Sequence, residues 1–320
     1  MPSLFEANQT SRWAPWYPYS ISLPDQNGSM GCVPLAIAQL CKYYKHPKQG
    51  ASTHSYTQTY PATYYWSIDY SQHLYNYDLM PFRLTYCGNG EPNCDEGSFD
   101  ILPGVTEEQE TEISKLWFHS GFIVNMNWYG IGTSSSFVNS FTNEMVTHYK
   151  YKSDMIHWTK NMILNSPENF KTALRNDLSL GRPIIFQTGT HLIVLDGYEN
   201  DDYFHGAFGR GGFCDAYYYM YTTDADGVHP QMNDPCYAIL AIRPDYENLS
   251  QDLTITNQVG MTSIVSYEAL NTVTVNCVLS GNGTTGAKAS IYAGSCVTLG
   301  NGFEIQKGAE LYVNTQTYNN

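Results

Sequence analysis

The chain has 320 residues, 42% of them hydrophobic, which is enough for one large domain or two. Lys+Arg 16 against Asp+Glu 30 gives a formal charge of −14, which argues against a nucleic-acid or anionic-membrane partner. No apolar run reaches the length of a membrane span, and a composition with 27 tyrosines and only 14% charged residues points to a life outside the cytoplasm, secreted or at the cell surface. The chain opens without a signal peptide, so secretion implies a leader removed from this sequence.

Residues 1–30 read as loop, aromatic and proline-rich through Trp13-Ala14-Pro15-Trp16-Tyr17-Pro18-Tyr19 and small and polar through Asp25-Gln26-Asn27-Gly28-Ser29. They lead into Gly31-Cys32-Val33-Pro34-Leu35-Ala36-Ile37-Ala38-Gln39-Leu40-Cys41, predicted to be a helix over 32–46. Its apolar residues fall on nearly every side, so the helix is expected to be buried. Pro34 suits the first turn, where a missing N–H costs nothing, and Pro47 stops the helix. Cys32 then sits at the N-terminal end, where the partial positive charge favours a thiolate. Cys41, nine positions on, faces the opposite side and reads as a small core hydrophobe.

Residues 50–80 alternate polar residues with tyrosine. A capped helix is expected over 105–121, with Thr106 as its cap and Ile113, Leu116 and Trp117 on one face. Ser134, Ser135 and Ser136 are placed to cap a helix beginning near Phe137, and a further helix runs from Pro167 to Leu178, ended by Gly181 and Pro183. Two short apolar runs, Ile184-Ile185-Phe186 and Leu192-Ile193-Val194-Leu195, flank Thr188-Gly189-Thr190 and read as strands, with His191 opening the second. Strands dominate to about Pro244. From 246 to 320 the chain turns rich in Thr, Val, Ile, Asn and Gly, and short β-prone runs recur between glycines. This predicts a small all-β module of stacked strands, separate from residues 1–245.

Eight cysteines leave pairing open. Cys87 and Cys94 flank a Gly/Asn/Pro loop, and Cys277 and Cys296 share the strand-rich region; either pair is a candidate disulfide in an oxidising compartment. No C-x-x-C is present and the histidines are scattered, so no metal is expected, nor any organic cofactor.

The cysteine and histidine stretches together resemble the streptopain-like cysteine peptidases, a secreted bacterial branch of the papain-like proteases. Gly31-Cys32-Val33, Ala36, Ala38-Gln39, Lys42-Tyr43-Tyr44 and Pro47 match that family's cysteine helix. His191-Leu192-Ile193-Val194-Leu195-Asp196-Gly197 matches its histidine strand, with Thr190 where the family has glycine. Tyr203-Phe204-His205 and the aromatic Tyr217-Tyr218-Tyr219 follow in order. Gly294 to Phe303 and Lys307 to Glu310 resemble a repeat at the C-termini of secreted bacterial proteins.

The resemblance implies an α+β, papain-like fold: a helical half, an antiparallel β half and a cleft between them, followed by the all-β module. It also implies cysteine endopeptidase chemistry on protein or peptide substrates, with Cys32 as nucleophile and His191 as general acid and base. A propeptide or inhibitor in the cleft fits the same picture. Four further positions depart from the family. Pro15 stands where a glutamine donates to the oxyanion hole, leaving Gln26 as a candidate substitute. Ala207 replaces an asparagine that orients the imidazole. Phe208 and Arg210 replace two tryptophans of the wall behind the histidine. These departures predict weakened catalysis. They also keep two rival readings open: a degenerate peptidase fold that binds protein or peptide, and an acyltransferase using the same pair.

Overall fold

The structure, a computed structural model, describes residues 1–8, 10–23, 31–59, 62–87, 99–128, 137–200, 202–220, 235–247, 249–316 and 318. A short helix α1 (Leu4–Ala7) precedes the cysteine helix α2 (Cys32–Tyr44). A hairpin of β1 (Thr53–Gln58) and β2 (Tyr64–Asp69) and a second small pair, β3 (Thr85–Cys87) and β4 (Phe99–Ile101), follow. Helices α3 (Glu107–Phe122) and α4 (Phe137–Tyr149) complete the helical half.

The β half contains β5 (Ile156–Thr159), α5 (Lys160–Asn165), α6 (Pro167–Ser179), β6 (Ile184–Thr188), β7 (His191–Glu199), β8 (Tyr203–Ala207), β9 (Ala216–Tyr219) and β10 (Pro235–Leu240). Its strands form one antiparallel sheet in the order β5-β10-β6-β7-β8-β9. Strands β6 and β7 are apolar at nearly every position because both faces of the sheet are covered. Ile185, Leu192 and Val194 belong to the core shared with α2, α3 and α4, whereas Ile184, Phe186, Ile193 and Leu195 pack with Phe170, Leu174 and Leu178 of α6. The expected two-part fold is therefore present, with its cleft elements, the start of α2 and the start of β7, in contact.

The expected helix ends mostly hold. In α2, residues Pro34 to Cys41 are all buried, as the all-round apolar pattern requires. Its C-terminus comes at Tyr44, earlier than expected, because Lys45 adopts a left-handed conformation whose N–H caps the helix. Thr106 and Gln109 form a reciprocal capping box at the start of α3. The serines at 134–136 lie outside the described residues.

Residues from 250 onward build a second body: β11 (Ser250–Ile255), β12 (Ile264–Val275), β13 (Val278–Leu279), β14 (Lys288–Ala293), β15 (Cys296–Leu299), β16 (Glu304–Ile305) and β17 (Glu310–Thr315). Every ladder between them is parallel. The register steps from Ile264 to Lys288 to Glu310, so each coil of chain stacks on the one before it. Its core, from Ile255 to Ile291 and Ala293, is separate from the other two. The seam with the rest of the chain is polar. Gln49 donates to the Ile264 carbonyl and accepts from the Ser266 N–H, Tyr312 and Asn314 reach Asp78, and the Lys48 ammonium lies 4.1 Å from the Tyr292 ring centre.

The candidate pairing of Cys277 with Cys296 is not formed; both thiols are free. The parallel ladder explains why. Cys296 pairs in register with Thr272 and points to solvent, while Cys277 turns into the core of the module. Cys94 lies outside the described residues.

Candidate active site

Gly31 precedes α2 with φ 80° and ψ 156°, a backbone region open essentially to glycine alone. This turn brings Cys32 to the first helical position. Its thiol lies against the N–H of Leu192, next to His191 on β7, and against the N–H groups of Cys32 and Val33. Burial pushes the thiol above its ordinary pKa; those three amides and the Arg210 charge pull it down without cancelling the rise. The helix terminus pulls toward the thiolate as expected, but desolvation outweighs it, so a partner base must assist. Cys41 is fully buried on the far side of α2 and takes the Tyr151 hydroxyl at 3.9 Å, as its core reading requires.

His191 opens β7 directly after a two-residue turn, where Gly189 takes φ 54° and Thr188 pairs with His191. Its Nε2 is 3.0 Å from the Phe208 carbonyl oxygen, and its ring stacks on the Phe208 ring at 5.9 Å with 14° between planes. The carbonyl only accepts, so Nε2 carries the proton and donates it. Nδ1 is then the nitrogen that bears the ring's lone pair. The expectation that His191 is loosely held because Ala207 cannot accept its N–H is corrected here. The acceptor that Ala207 cannot supply is here the main-chain carbonyl of Phe208. Ala207 is buried at the end of β8, and Phe208 supplies the apolar wall.

The Phe208 peptide is itself anchored. Its N–H donates to Asp215 Oδ1 at 2.7 Å, so one peptide unit links the Asp215 carboxyl to the His191 ring. Burial pushes Asp215 up to about 7, opposed by that N–H and by the His205 and Arg12 charges. Sequence reasoning missed Asp215: an isolated Asp in a glycine-rich turn looks like ordinary loop chemistry. The only hint was its place between the glycine run and the aromatic strand.

That turn is shaped by glycines. Gly209 has φ 67°, and a Cβ there would sit 2.2 Å from Leu35 Cδ2 of α2. Only a residue without a side chain lets the wall approach the helix that carries Cys32. Gly211 donates to the Trp13 carbonyl, so the Trp13-Ala14-Pro15 segment meets the loop carrying Arg210. Pro15 has no N–H to offer, and Gln26 lies outside the described residues.

The Asp196-Gly197 pair also has a structural origin. The β7–β8 register shifts between Leu195 and Gly197, making Asp196 a bulge residue whose side chain is re-aimed. Its buried carboxylate accepts from Ser3 Oγ, the Phe5 N–H and His205 Nδ1. Burial depresses His205, but the Asp196 carboxylate outweighs it and holds the imidazole above its usual value. A Cβ at Gly197 would lie 3.0 Å from Pro2 and Ser3, so glycine lets the first residues cross the strand.

Comparison with known proteins now bears on this geometry. The sequence model of the Peptidase C10 family matches residues 8–218, from just after α1 into β9, and so spans Cys32, His191 and Asp215. The chain belongs to the Peptidase C10 family. Among curated relatives, the thiol protease/hemagglutinin PrtT of Porphyromonas gingivalis is 25% identical over 76% of this chain and 30% of its own length. Streptopain of Streptococcus pyogenes is 24% identical over 62% of this chain and 47% of its own length. The chain thus spans less than half the length of these relatives. Active interpain A, a cysteine protease of Prevotella intermedia, shares the fold, with TM-score 0.55, 21% identity and coverage of 73% of this chain and 92% of that one. A prointerpain A fragment superposes equally well, at TM-score 0.55 over 72% of this chain and 69% of that one. The C10 match stops before the parallel β module.

Proposed function

We propose that this C10 chain is a cysteine endopeptidase that cleaves protein or peptide substrates through a thioester on Cys32. The carrying observation is that Cys32, at the start of a buried helix, meets the strand opening at His191 while the Phe208 carbonyl fixes the imidazole tautomer through Nε2.

In this reading His191 Nδ1 takes the Cys32 proton as the sulfur attacks the scissile carbonyl. Burial holds the thiol above its ordinary value, so in this reading its ionisation draws on the partner imidazole. The Cys32 N–H stabilises the oxyanion. The imidazolium protonates the leaving amine, and water, deprotonated by His191, releases the acyl group. Arg210 adds a positive charge near the sulfur and favours acidic groups in the substrate. A propeptide or inhibitor segment occupying this cleft fits the same contacts, and the prointerpain relative, named as a pro-form, supports it. Secretion or cell-surface display is supported by the tyrosine-rich, weakly charged composition; among the described residues no helix is long and apolar enough to cross a membrane. Residues 1–245 form the peptidase unit and 246–320 the accessory module, supported by the separate core of the latter.

Casein hydrolysis by the full chain tests this. Cleavage that disappears in Cys32→Ala supports it; a folded chain that cleaves neither casein nor an unfolded peptide library sinks it and leaves the binding-module reading.

A further inference from the structure

Away from the cleft, the fold brings a distant histidine to a Glu/His pair on one helix. Glu144 and His148 lie one turn apart on α4, and His54 reaches them from β1. Glu144 Oε2 is 2.9 Å from His148 Nε2 and 3.3 Å from His54 Nδ1, and all three ligand atoms lie within 4.8 Å of one another. We propose that His54, Glu144 and His148 form a binding site for a divalent transition-metal ion such as zinc, which ties the β1–β2 hairpin to α4.

The outer hydrogen bonds carry the argument. His148 Nδ1 is 2.9 Å from the Ala51 carbonyl oxygen, which only accepts, so that nitrogen carries the proton. The Ala51 N–H in turn donates to the His148 carbonyl, and the Ser52 hydroxyl lies 3.0 Å from the same Nδ1. On the other side, His54 Nε2 is 2.8 Å from Asn125 Oδ1. With those outer protons in place, neutral rings turn both remaining lone pairs, His148 Nε2 and His54 Nδ1, toward one carboxylate. Three acceptor atoms facing each other need positive charge between them. Two extra protons supply it, and so does one divalent cation. Imidazoles whose far nitrogens are pinned to carbonyl-type acceptors are also the usual outer arrangement of metal-bound histidines.

The dimensions fit. With metal–ligand bonds of about 2.0–2.1 Å, the edge of a tetrahedral site is about 3.3 Å. The separations of 2.9 Å and 3.3 Å from Glu144 to the two imidazoles already approach that edge. Two nitrogens and one oxygen suit zinc, cobalt or nickel rather than calcium or magnesium. The side chains of His54 and Glu144 keep 12% and 23% of their surface, so an ion has an entry path and a fourth position for water. Tyr70 packs on the His148 ring at 5.0 Å and Tyr56 lies 6.0 Å from the His54 ring, limiting how far either can swing.

The test uses the full chain carrying Cys32→Ser, so that binding at the cleft thiol does not enter. Titration with cobalt(II) is followed by absorption. The expected result is one equivalent bound with intense visible bands of a low-coordinate site and no near-ultraviolet thiolate band. Zinc at 100 times its dissociation constant should also raise the unfolding midpoint by roughly 5 °C. His54→Gln and Glu144→Gln, at partly exposed positions, should each keep the fold by circular dichroism and weaken cobalt binding at least tenfold. Three results overturn the proposal. The first is no binding at millimolar metal. The second is a thiolate band showing that cysteines hold the ion. The third is unchanged affinity in both folded variants, which leaves the cluster as a proton-sharing pair of imidazoles and a carboxylate.

Discussion

Asp215 is the residue whose replacement probes the site most sharply. Asp215→Ala removes the acceptor of the buried Phe208 N–H. An orphaned buried N–H costs about 1–3 kcal/mol of stability. The same change frees the Phe208 carbonyl that holds His191, and a displacement of about 1 Å in such a group can cost 10²-fold in rate. Asp215→Asn keeps an acceptor oxygen and removes only the charge. The two variants therefore separate positioning from electrostatics. Asp215→Ala should lower kcat on a peptide substrate by about 10²-fold with little change in KM, and Asn should restore most of it. Stability adds a second, independent readout. Burial raises Asp215 to about 7 in the folded chain, so the folded state favours the protonated form. Relative to Asn, wild-type Asp215 carries no pH-dependent penalty below the unfolded carboxylate value, loses stability progressively from there up to about pH 7, and is level above it. That loss corresponds to about 4 kcal/mol at most, reached above pH 7. Urea unfolding of both proteins from pH 4 to pH 8 measures it. Equal kcat in Asp215→Ala and wild type, or a stability gap between wild type and Asn that does not grow with pH, would refute the linkage.

Ala207→Asn should change turnover by less than tenfold, because the imidazole N–H already has its acceptor in the Phe208 carbonyl; a rise of several orders in kcat/KM would show that this carbonyl does not orient His191. Removal of residues 246–320 should leave the Cys32 thiol reactivity intact in a folded product, although the loss of the seam at Gln49, Lys48 and Asp78 should lower the unfolding midpoint. Abolished labelling in a truncated chain with native circular dichroism would place the module within the active unit.

The helices and the two-part fold were legible because their signals are local. Pro34 and Pro47 bracket α2, Thr106 caps α3, and unbroken apolar runs mark strands buried on both faces. Cys32 and His191 were legible as a pair through the resemblance alone, since each has an ordinary structural explanation. What escaped depends on tertiary register. The main-chain carbonyl of Phe208 has no side-chain signature, so the missing asparagine looked like a missing function. Asp215 acts through a peptide group. The Asp196 bulge is visible only when β7 and β8 are paired. His54 meets Glu144 and His148 only after β1 docks on α4. The pairing of Cys277 and Cys296 failed for the same reason, because a parallel ladder, which the strand pattern did not reveal, fixes which residues face each other.

The central claim is that Cys32 is reactive because His191 makes it so. Site-mapped labelling with a papain-type epoxide, scored by mass spectrometry in wild type and His191→Ala, tests it directly. The account predicts that Cys32 alone among the cysteines is modified, and that His191→Ala abolishes the modification while leaving the fold intact. Equal labelling of Cys32 in both proteins, or labelling spread over Cys214, Cys236 and Cys296 with Cys32 untouched, would contradict it.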